Sequence, residues 1–174
     1  MEFQCETAYD QEAAAAMAKA VRKTARKKRS RRSHILGAFL ILLALFLTLP
    51  SGGREFVLDL RTLVTWLAAA VLLLTLIFED RINGYLARKR MLPGLKKAVV
   101  TFRTDGYHSE TELGSSDFKY SSIISLAETE HFFVFIFSPS HAQVYGKSSI
   151  TGGTLEEFRK FLENVTGREI QRIS

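Results

Sequence analysis

Four histidines, one cysteine and a few acids and serines are the residues of this 174-residue chain whose types could do chemistry. His34, His108, His131 and His141 show no HxxxH spacing and no Cys/His spacing of the kind that sets two ligands on one metal. Cys5 is a single thiol with no histidine or acid arranged beside it in sequence, and it cannot form an intrachain disulfide. Glu128 and Glu130 alternate within Glu128–His131, which reads as a polar turn. Paired carboxylates can share acid–base work, but in a turn they are expected to be solvated. Ser121, Ser122, Ser148 and Ser149 have no activating neighbour. Gly152-Gly153 precedes a helix start without the rest of a phosphate loop, so it reads as a hinge. The expectation is therefore no catalytic residue, no cofactor and no metal.

The charge pattern is more informative. The formal net charge is +6, and it is concentrated in two short segments. Nine Lys or Arg lie in residues 19–32 and six in 81–97, whereas residues 98–174 carry seven against ten acids. Two basic runs flank a nearly uncharged region, and they predict contact with an anionic membrane surface through Arg26, Lys27, Lys28, Arg29, Arg31, Arg32, Arg88, Lys89 and Arg90. Beside apolar segments that role accounts for the basic run, so nucleic acid is not an expected partner.

The region between those runs contains two apolar segments, about 35–50 and 61–78. Both are apolar all round, which a core helix of so small a domain would not be. They predict a pair of membrane-spanning helices, since an isolated segment in lipid must satisfy its own backbone groups. Pro50-Ser51-Gly52-Gly53 predicts a turn that makes the pair a hairpin, and Trp66 suits an interfacial anchor. A cleaved signal peptide fits poorly, because the run starts late, lacks a small-residue cleavage pattern and is followed by a second span. Fifteen basic residues flank the hairpin against two, Arg54 and Arg61, between its helices. That bias places both termini in the cytoplasm, where the sequon at Asn164 would stay unmodified.

The remaining elements follow from period and punctuation. Glu2–Thr7 can form a strand, and Asp10 can cap a helix that begins near Gln11 and, with no proline before Pro50, could run on without a break. Ala13 to Ala16 offer only a weak apolar face. Residues 79–97 read as a basic juxtamembrane linker ended by Pro93-Gly94. From Ala98 the period becomes two. Strands are expected over 98–103, 107–113, 123–127, 132–137 and 142–145, with turns at Asp105-Gly106, Gly114–Ser116 and Ser138–His141. Thr154-Leu-Glu-Glu157 predicts a capping box that opens an amphipathic helix stopped by Gly167. The expected fold class is an α+β membrane protein. It comprises an N-terminal strand and basic helix (1–34), a hairpin (35–78), a linker (79–97) and a small antiparallel-sheet-plus-helix domain (98–174).

Taken in order, several motifs resemble the YcxB-like family of bacterial membrane proteins. They are the two spans, Val99-Val-Thr-Phe-Arg-Thr-Asp-Gly106, Tyr120–Thr129, the Phe132–Phe137 strand and the Leu155–Leu162 helix, so that the likeness runs from residue 35 onward. In that family the position of Tyr120 is usually Trp, and a Pro-Lys pair usually stands where this chain has Gly146-Lys147. The resemblance implies a PH-like sheet-and-helix domain anchored in a bacterial inner membrane, and it implies no chemistry. The expected function is non-enzymatic: a cytosolic domain that binds a protein, a second copy of the chain or the membrane surface beside its own anchor. An immunity or regulatory subunit for a membrane enzyme or toxin is one alternative. An enzyme with a cryptic site, grouping His108, His131 or His141 with Glu128 or Glu130, is another.

Overall fold

The computed structural model of the chain describes residues 2–49, 58–89 and 96–173. The turn expected at Pro50–Gly53, the stop at Pro93-Gly94 and Arg90 lie outside the described residues. The chain divides into two compact units, one made of residues up to 27 together with those from 80 onward, the other of residues 28–79.

The first unit is built around a strand from the N-terminal end. Strand β1 (Phe3–Ala8) alternates buried and exposed residues, with Phe3, Cys5 and Thr7 inward. It pairs antiparallel along its whole length with β2 (Lys97–Phe102), Phe3 opposite Phe102 and Ala8 opposite Lys97. Residues 1–34, read from the sequence as a segment apart, thus contribute an interior strand to the sheet of the C-terminal region. The hairpin β2–β3 (Tyr107–Thr111) turns at Asp105-Gly106 as expected. Gly114–Ser116, expected as a turn, instead opens strand β4 (Gly114–Phe118), paired with β3 from Thr111–Gly114 onward. The turn falls on Glu112-Leu113, where Thr111 Oγ1 donates to the Gly114 carbonyl at 2.9 Å and Gly114 adopts φ +140°. A glycine tolerates that backbone, and weak strand formers such as Ser115 and Ser116 are tolerated because β4 is an edge with exposed side chains.

A second sheet holds β5 (Ser125–Glu128), β6 (Phe132–Ser138) and β7 (His141–Gly146), and two strands that the sequence reading lacks complete the pair of sheets. β8 (Ile150–Thr151) joins β1, and β9 (Ile170–Arg172) joins β5 in parallel. The orders are β4-β3-β2-β1-β8 and β7-β6-β5-β9. β6 is the apolar interior strand expected, and its continuous run has a simple cause. Phe133 and Phe135 face the core between the sheets, while Val134 and Ile136 face a second cluster with Ala13, Ala20 and Val21. Both faces are covered, so neither alternates with polar residues.

Helix α1 (Gln11–Lys23) supplies that cover, capped by Asp10, whose carboxylate accepts from Ala13 N at 2.8 Å. Its alanines are useful because they are small: Ala13, Ala14 and Ala20 are fully buried. One uninterrupted helix into the apolar segment does not form. The chain turns at Thr24–Arg26, where Thr24 Oγ1 donates to the Ala20 carbonyl at 2.6 Å and Arg26 N reaches back to Val21 O. A threonine hydroxyl competing for a helical carbonyl is a known local disruptor. α2 (Lys27–Leu47) follows, then α3 (Leu60–Ile77) and α4 (Glu79–Lys89).

α2 and α3 are long, apolar and mostly exposed; α3 buries no residue at all. Within their own unit they run antiparallel. A Cβ at Gly37 would meet the end of the Leu76 side chain at 2.7 Å, Trp66 Nε1 donates to Thr48 Oγ1 at 3.1 Å, and His34 Nε2 lies 3.5 Å from Glu79 Oε2.

α4 packs against α1 through its smallest residue. A Cβ at Gly84 would lie 2.7 Å from Ala15 Cα and 2.8 Å from Ala15 N, both backbone atoms that cannot swing aside. One turn earlier Asp80 accepts a two-pronged ion pair from Arg22, at 2.6 Å for each contact. The last helix, α5 (Leu155–Thr166), has the expected capping box on Thr154 and Glu157 and ends on Gly167 at φ +64°. Its Phe158 ring sits about equally close to Phe3, Phe102 and Phe133, with centroids 5.1, 5.1 and 5.3 Å away, and so ties the two sheets together.

The α1–α4 crossing yields a prediction. Gly84→Ala should destabilise the first unit by about 1–3 kcal/mol, the usual cost of overpacking a closed contact. Gly37→Ala, whose new methyl meets only a flexible leucine end, should cost clearly less. Thermal unfolding of the full chain in detergent, followed by near-ultraviolet dichroism, compares the two.

Candidate functional site

The residues singled out for chemistry are dispersed. His108 Nδ1 lies 2.7 Å from Asp117 Oδ1, a cross-strand pair on the exposed face of β3 and β4. His141 is an exposed neighbour of the Phe137 ring, and His34 Nδ1 sits 2.9 Å from the Ser30 carbonyl one turn back on α2. Among the described residues no three His, Cys, Asp or Glu side chains could hold a metal ion together. Ser122 Oγ donates to the Lys119 carbonyl, and Ser149 Oγ donates to that of Gly146. Cys5 is buried in β1, with its sulfur 3.3 Å from Thr7 Oγ1 and from Ser149 Oγ. Burial pushes its thiol up, against the smaller lowering effect of those hydrogen bonds. A raised thiol is a poor nucleophile, and its role here is packing.

His131 and Glu130 do share a concavity, an open depression of about 840 Å³ that also includes Glu6, Lys97, Lys147 and Ser149. His131 Nε2 is 3.9 Å from both Glu130 Oε1 and Glu12 Oε1, beyond hydrogen-bond reach, and all three side chains are more than half exposed. Proton transfer needs closer geometry and a site that excludes water. On the rim, Lys97 Nζ is engaged by Glu6 Oε1 at 2.6 Å.

Glu128 departs from expectation. It is not a solvated turn residue but a buried carboxylate at the end of β5, with a side chain only 6 % exposed. Arg159 on α5 grips it with two hydrogen bonds of 2.9 and 2.8 Å, and Lys147 Nζ approaches Oε1 at 2.7 Å. Lys147 also donates to the carbonyls of Thr129 (2.6 Å) and Glu130 (3.0 Å) and sits 5.4 Å from the centroid of the Phe133 ring. One lysine therefore fastens the β5–β6 turn, and one arginine fastens α5 to the same carboxylate. Burial alone would push Glu128 up; the hydrogen bonds and charges of Arg159 and Lys147 outweigh it and hold the carboxyl below its usual range. The sequence hides this triad because its members lie 19 and 31 residues from one another's partner on separate elements. The only local sign is an acid placed directly after a buried strand.

The basic residues expected at a membrane surface are all exposed where described. Arg26 lies in the turn before α2, Lys27, Lys28, Arg29, Arg31 and Arg32 lie on the first turns of α2, and Arg88 and Lys89 form the last turn of α4. α2 and α3 themselves carry exposed apolar side chains, among them Phe39, Phe46, Leu47, Leu60 and Leu67. Within the second unit, the apolar surface of α2 and α3 is preceded on α2 by exposed Lys28, Arg29, Arg31 and Arg32.

Residues 102–162 match the YcxB-like protein family. The match runs from the end of β2 into α5 and takes in Glu128, Lys147 and Arg159, but it leaves out α2, α3 and β1, so it is narrower than the resemblance read from residue 35 onward. No curated protein matches the chain.

The buried triad predicts an acid-sensitive fold. Because the folded-state carboxyl of Glu128 is held low, its contribution is complete above the ordinary carboxylate range. It is lost as pH falls through the lower folded value. Glu128→Gln should flatten that acid limb of stability. Glu128→Ala, which strands two cations, should cost about 3–5 kcal/mol at neutral pH. Denaturant unfolding between pH 3 and 7 measures both, and the apolar isostere set Glu128→Leu with Arg159→Met and Lys147→Met should recover much of the loss.

Proposed function

We propose that this YcxB-like chain is a membrane-anchored, non-enzymatic protein of the bacterial cytoplasmic membrane. In this reading α2 and α3 form a transmembrane hairpin with both termini in the cytoplasm. The two-sheet domain is then a cytosolic, PH-like interaction module held beside the bilayer, with a protein or the membrane surface as its target.

The observation that carries the reading is the pairing of β1 with β2. One strand precedes the apolar helices and the other follows them, yet they are hydrogen-bonded neighbours in one sheet. A single crossing would leave them on opposite sides of a bilayer, whereas two crossings return the chain to its partner. The fifteen-to-two bias of basic residues selects the cytoplasmic side for that sheet. Large exposed side chains support the same solvent assignment, since Leu60 and Phe46 are 76 % and 69 % exposed. In water a patch of that extent would drive aggregation, whereas hydrocarbon solvates it. The non-enzymatic part of the proposal is supported by the open, charge-paired character of the depression around His131 and by the structural use made of Glu128, Lys147 and Cys5.

Topology mapping tests the proposal. In a Cys5→Ser background, Ser51→Cys should react with a membrane-impermeant maleimide applied to intact cells. Ser174→Cys should react only after permeabilisation. Labelling of Ser174→Cys in intact cells, or release of the protein by alkaline carbonate, would overturn it.

A further inference from the structure

Helix α4 is built inside out for a water-exposed helix. On a 3.6-residue turn Asp80, Gly84 and Ala87 share one face, and Ile82, Tyr85 and Leu86 share the opposite one. The first face meets α1: Gly84 against the Ala15 backbone, Asp80 on the Arg22 guanidinium. Gly84 is the one residue of α4 that is buried. The second face holds its largest apolar side chains, and they stand in the open: Ile82 is 40 % exposed, Tyr85 60 % and Leu86 42 %. A soluble helix with a glycine and an isoleucine to place would bury the isoleucine. Nor is α4 adrift, since the Gly84 contact and the Arg22–Asp80 pair fix its rotation so that this stripe must face outward.

We propose that α4 is an interfacial helix whose Ile82–Tyr85–Leu86 stripe inserts into the boundary of an anionic phospholipid bilayer. The inference rests on the reading of α2 and α3 as membrane spans and adds a second, separate contact with the same bilayer. Two observations choose lipid as the occupant. The stripe is continuous in sequence with a mostly exposed apolar helix, because α4 starts one residue after Phe78, which caps α3. The helix also ends on exposed Arg88 and Lys89, whose charge complements lipid phosphate, while Tyr85 has the apolar body and polar tip that favour the headgroup level. The consequence is that α4, locked to α1, holds the sheet domain at a fixed height and orientation on the bilayer instead of leaving it on a free tether.

Tryptophan depth measurements test this. The full chain has one tryptophan, Trp66 on α3. A Trp66→Phe, Tyr85→Trp protein places the sole reporter on the stripe. Reconstituted into vesicles of phosphatidylcholine and phosphatidylglycerol brominated near the top of the acyl chain, it should lose emission to the bromines. It should also be shielded from aqueous acrylamide. The unaltered protein, measured in parallel, reports on the hairpin alone through Trp66. Quenching of Trp66 by brominated lipid with acrylamide access and no lipid quenching at position 85 would overturn the α4 inference and leave the hairpin standing. Shielding of position 85 from both quenchers would also overturn it, by showing that protein, such as a second copy, covers the stripe. Absence of lipid quenching at both positions would overturn the hairpin reading itself. A melting temperature unchanged by the two substitutions would show that the reporter sits on the native fold.

Discussion

The hydrogen-bonded ladder between β1 and β2 is the constraint on which the rest of the structure depends. It joins Phe3 to Phe102 across the whole apolar hairpin, and it does so in the interior of a sheet, with β3 beyond one strand and β8 beyond the other. Removing β1 would expose Phe102 and Val100 on one side and strip β8 of its only pairing partner among the described residues. The Phe158 ring of α5 would lose Phe3, one of the three rings around it. A domain annotated by its C-terminal residues alone would lack a strand from its centre. The residues that match the YcxB-like family begin at 102, so they contain β8 and the last residue of β2 but neither β1 nor the rest of the strand it pairs with.

Electrostatics follows the same division between what is covered and what is not. Exposed pairs such as Lys97–Glu6 and Lys160–Glu156 are worth little, because water screens them and ordering two long side chains is costly. Glu128 differs because its carboxylate is largely out of water and is gripped by Arg159 and Lys147. Such a cluster does not make the fold more stable than an apolar one would. It joins separate elements at one point: Arg159 ties α5 to the end of β5, and Lys147, directly after β7, ties that strand to the β5–β6 turn. Lys147 works through its ammonium group on three oxygens, and Gly146 adopts an ordinary extended φ of −72° that needs no proline to set it.

Elements that are specified locally were legible in the sequence. The capping box at Thr154, the stop at Gly167, the Asp10 cap, the Asp105-Gly106 turn and the strand Phe132–Phe137 depend on residues within a few positions of one another. Contacts between distant residues were not legible. Nothing in Phe3–Ala8 names Lys97–Phe102 as its partner, and nothing near Glu128 announces Arg159. Two errors came from local rules overridden by context. Gly114-Ser115-Ser116 has turn composition, but an edge strand needs little β propensity and Thr111 completes the turn two residues earlier. The absence of proline before Pro50 suggested a continuous helix, but the chain turns at Thr24–Arg26, where Arg26 N bonds Val21 O instead of continuing the helical pattern. The candidate surface was half legible: its lysines and arginines stand out in a charge count, whereas the outward face of α4 emerges only once Gly84 and Asp80 are seen to be spoken for.

The topology also sets a chain-entropy cost for the β1–β2 pairing. β1 is synthesised first, but its partners β2 and β8 come after the hairpin. Closing a flexible loop of the length between Ala8 and Lys97 would cost roughly 4 kcal/mol in chain entropy beyond the fixed term. The hairpin removes most of that length. Its helices run antiparallel, with Thr48 near Trp66 at one end, Gly37 near Leu76 midway and His34 near Glu79 at the other. Once they form, the residues that leave the hairpin are already neighbours, and the effective loop is only the short stretch on either side. Just beyond, Arg22 and Asp80 can pair, and α1 and α4 can cross at Gly84. A hairpin between β1 and β2 thus lowers the chain-entropy cost of pairing two strands that lie far apart in sequence.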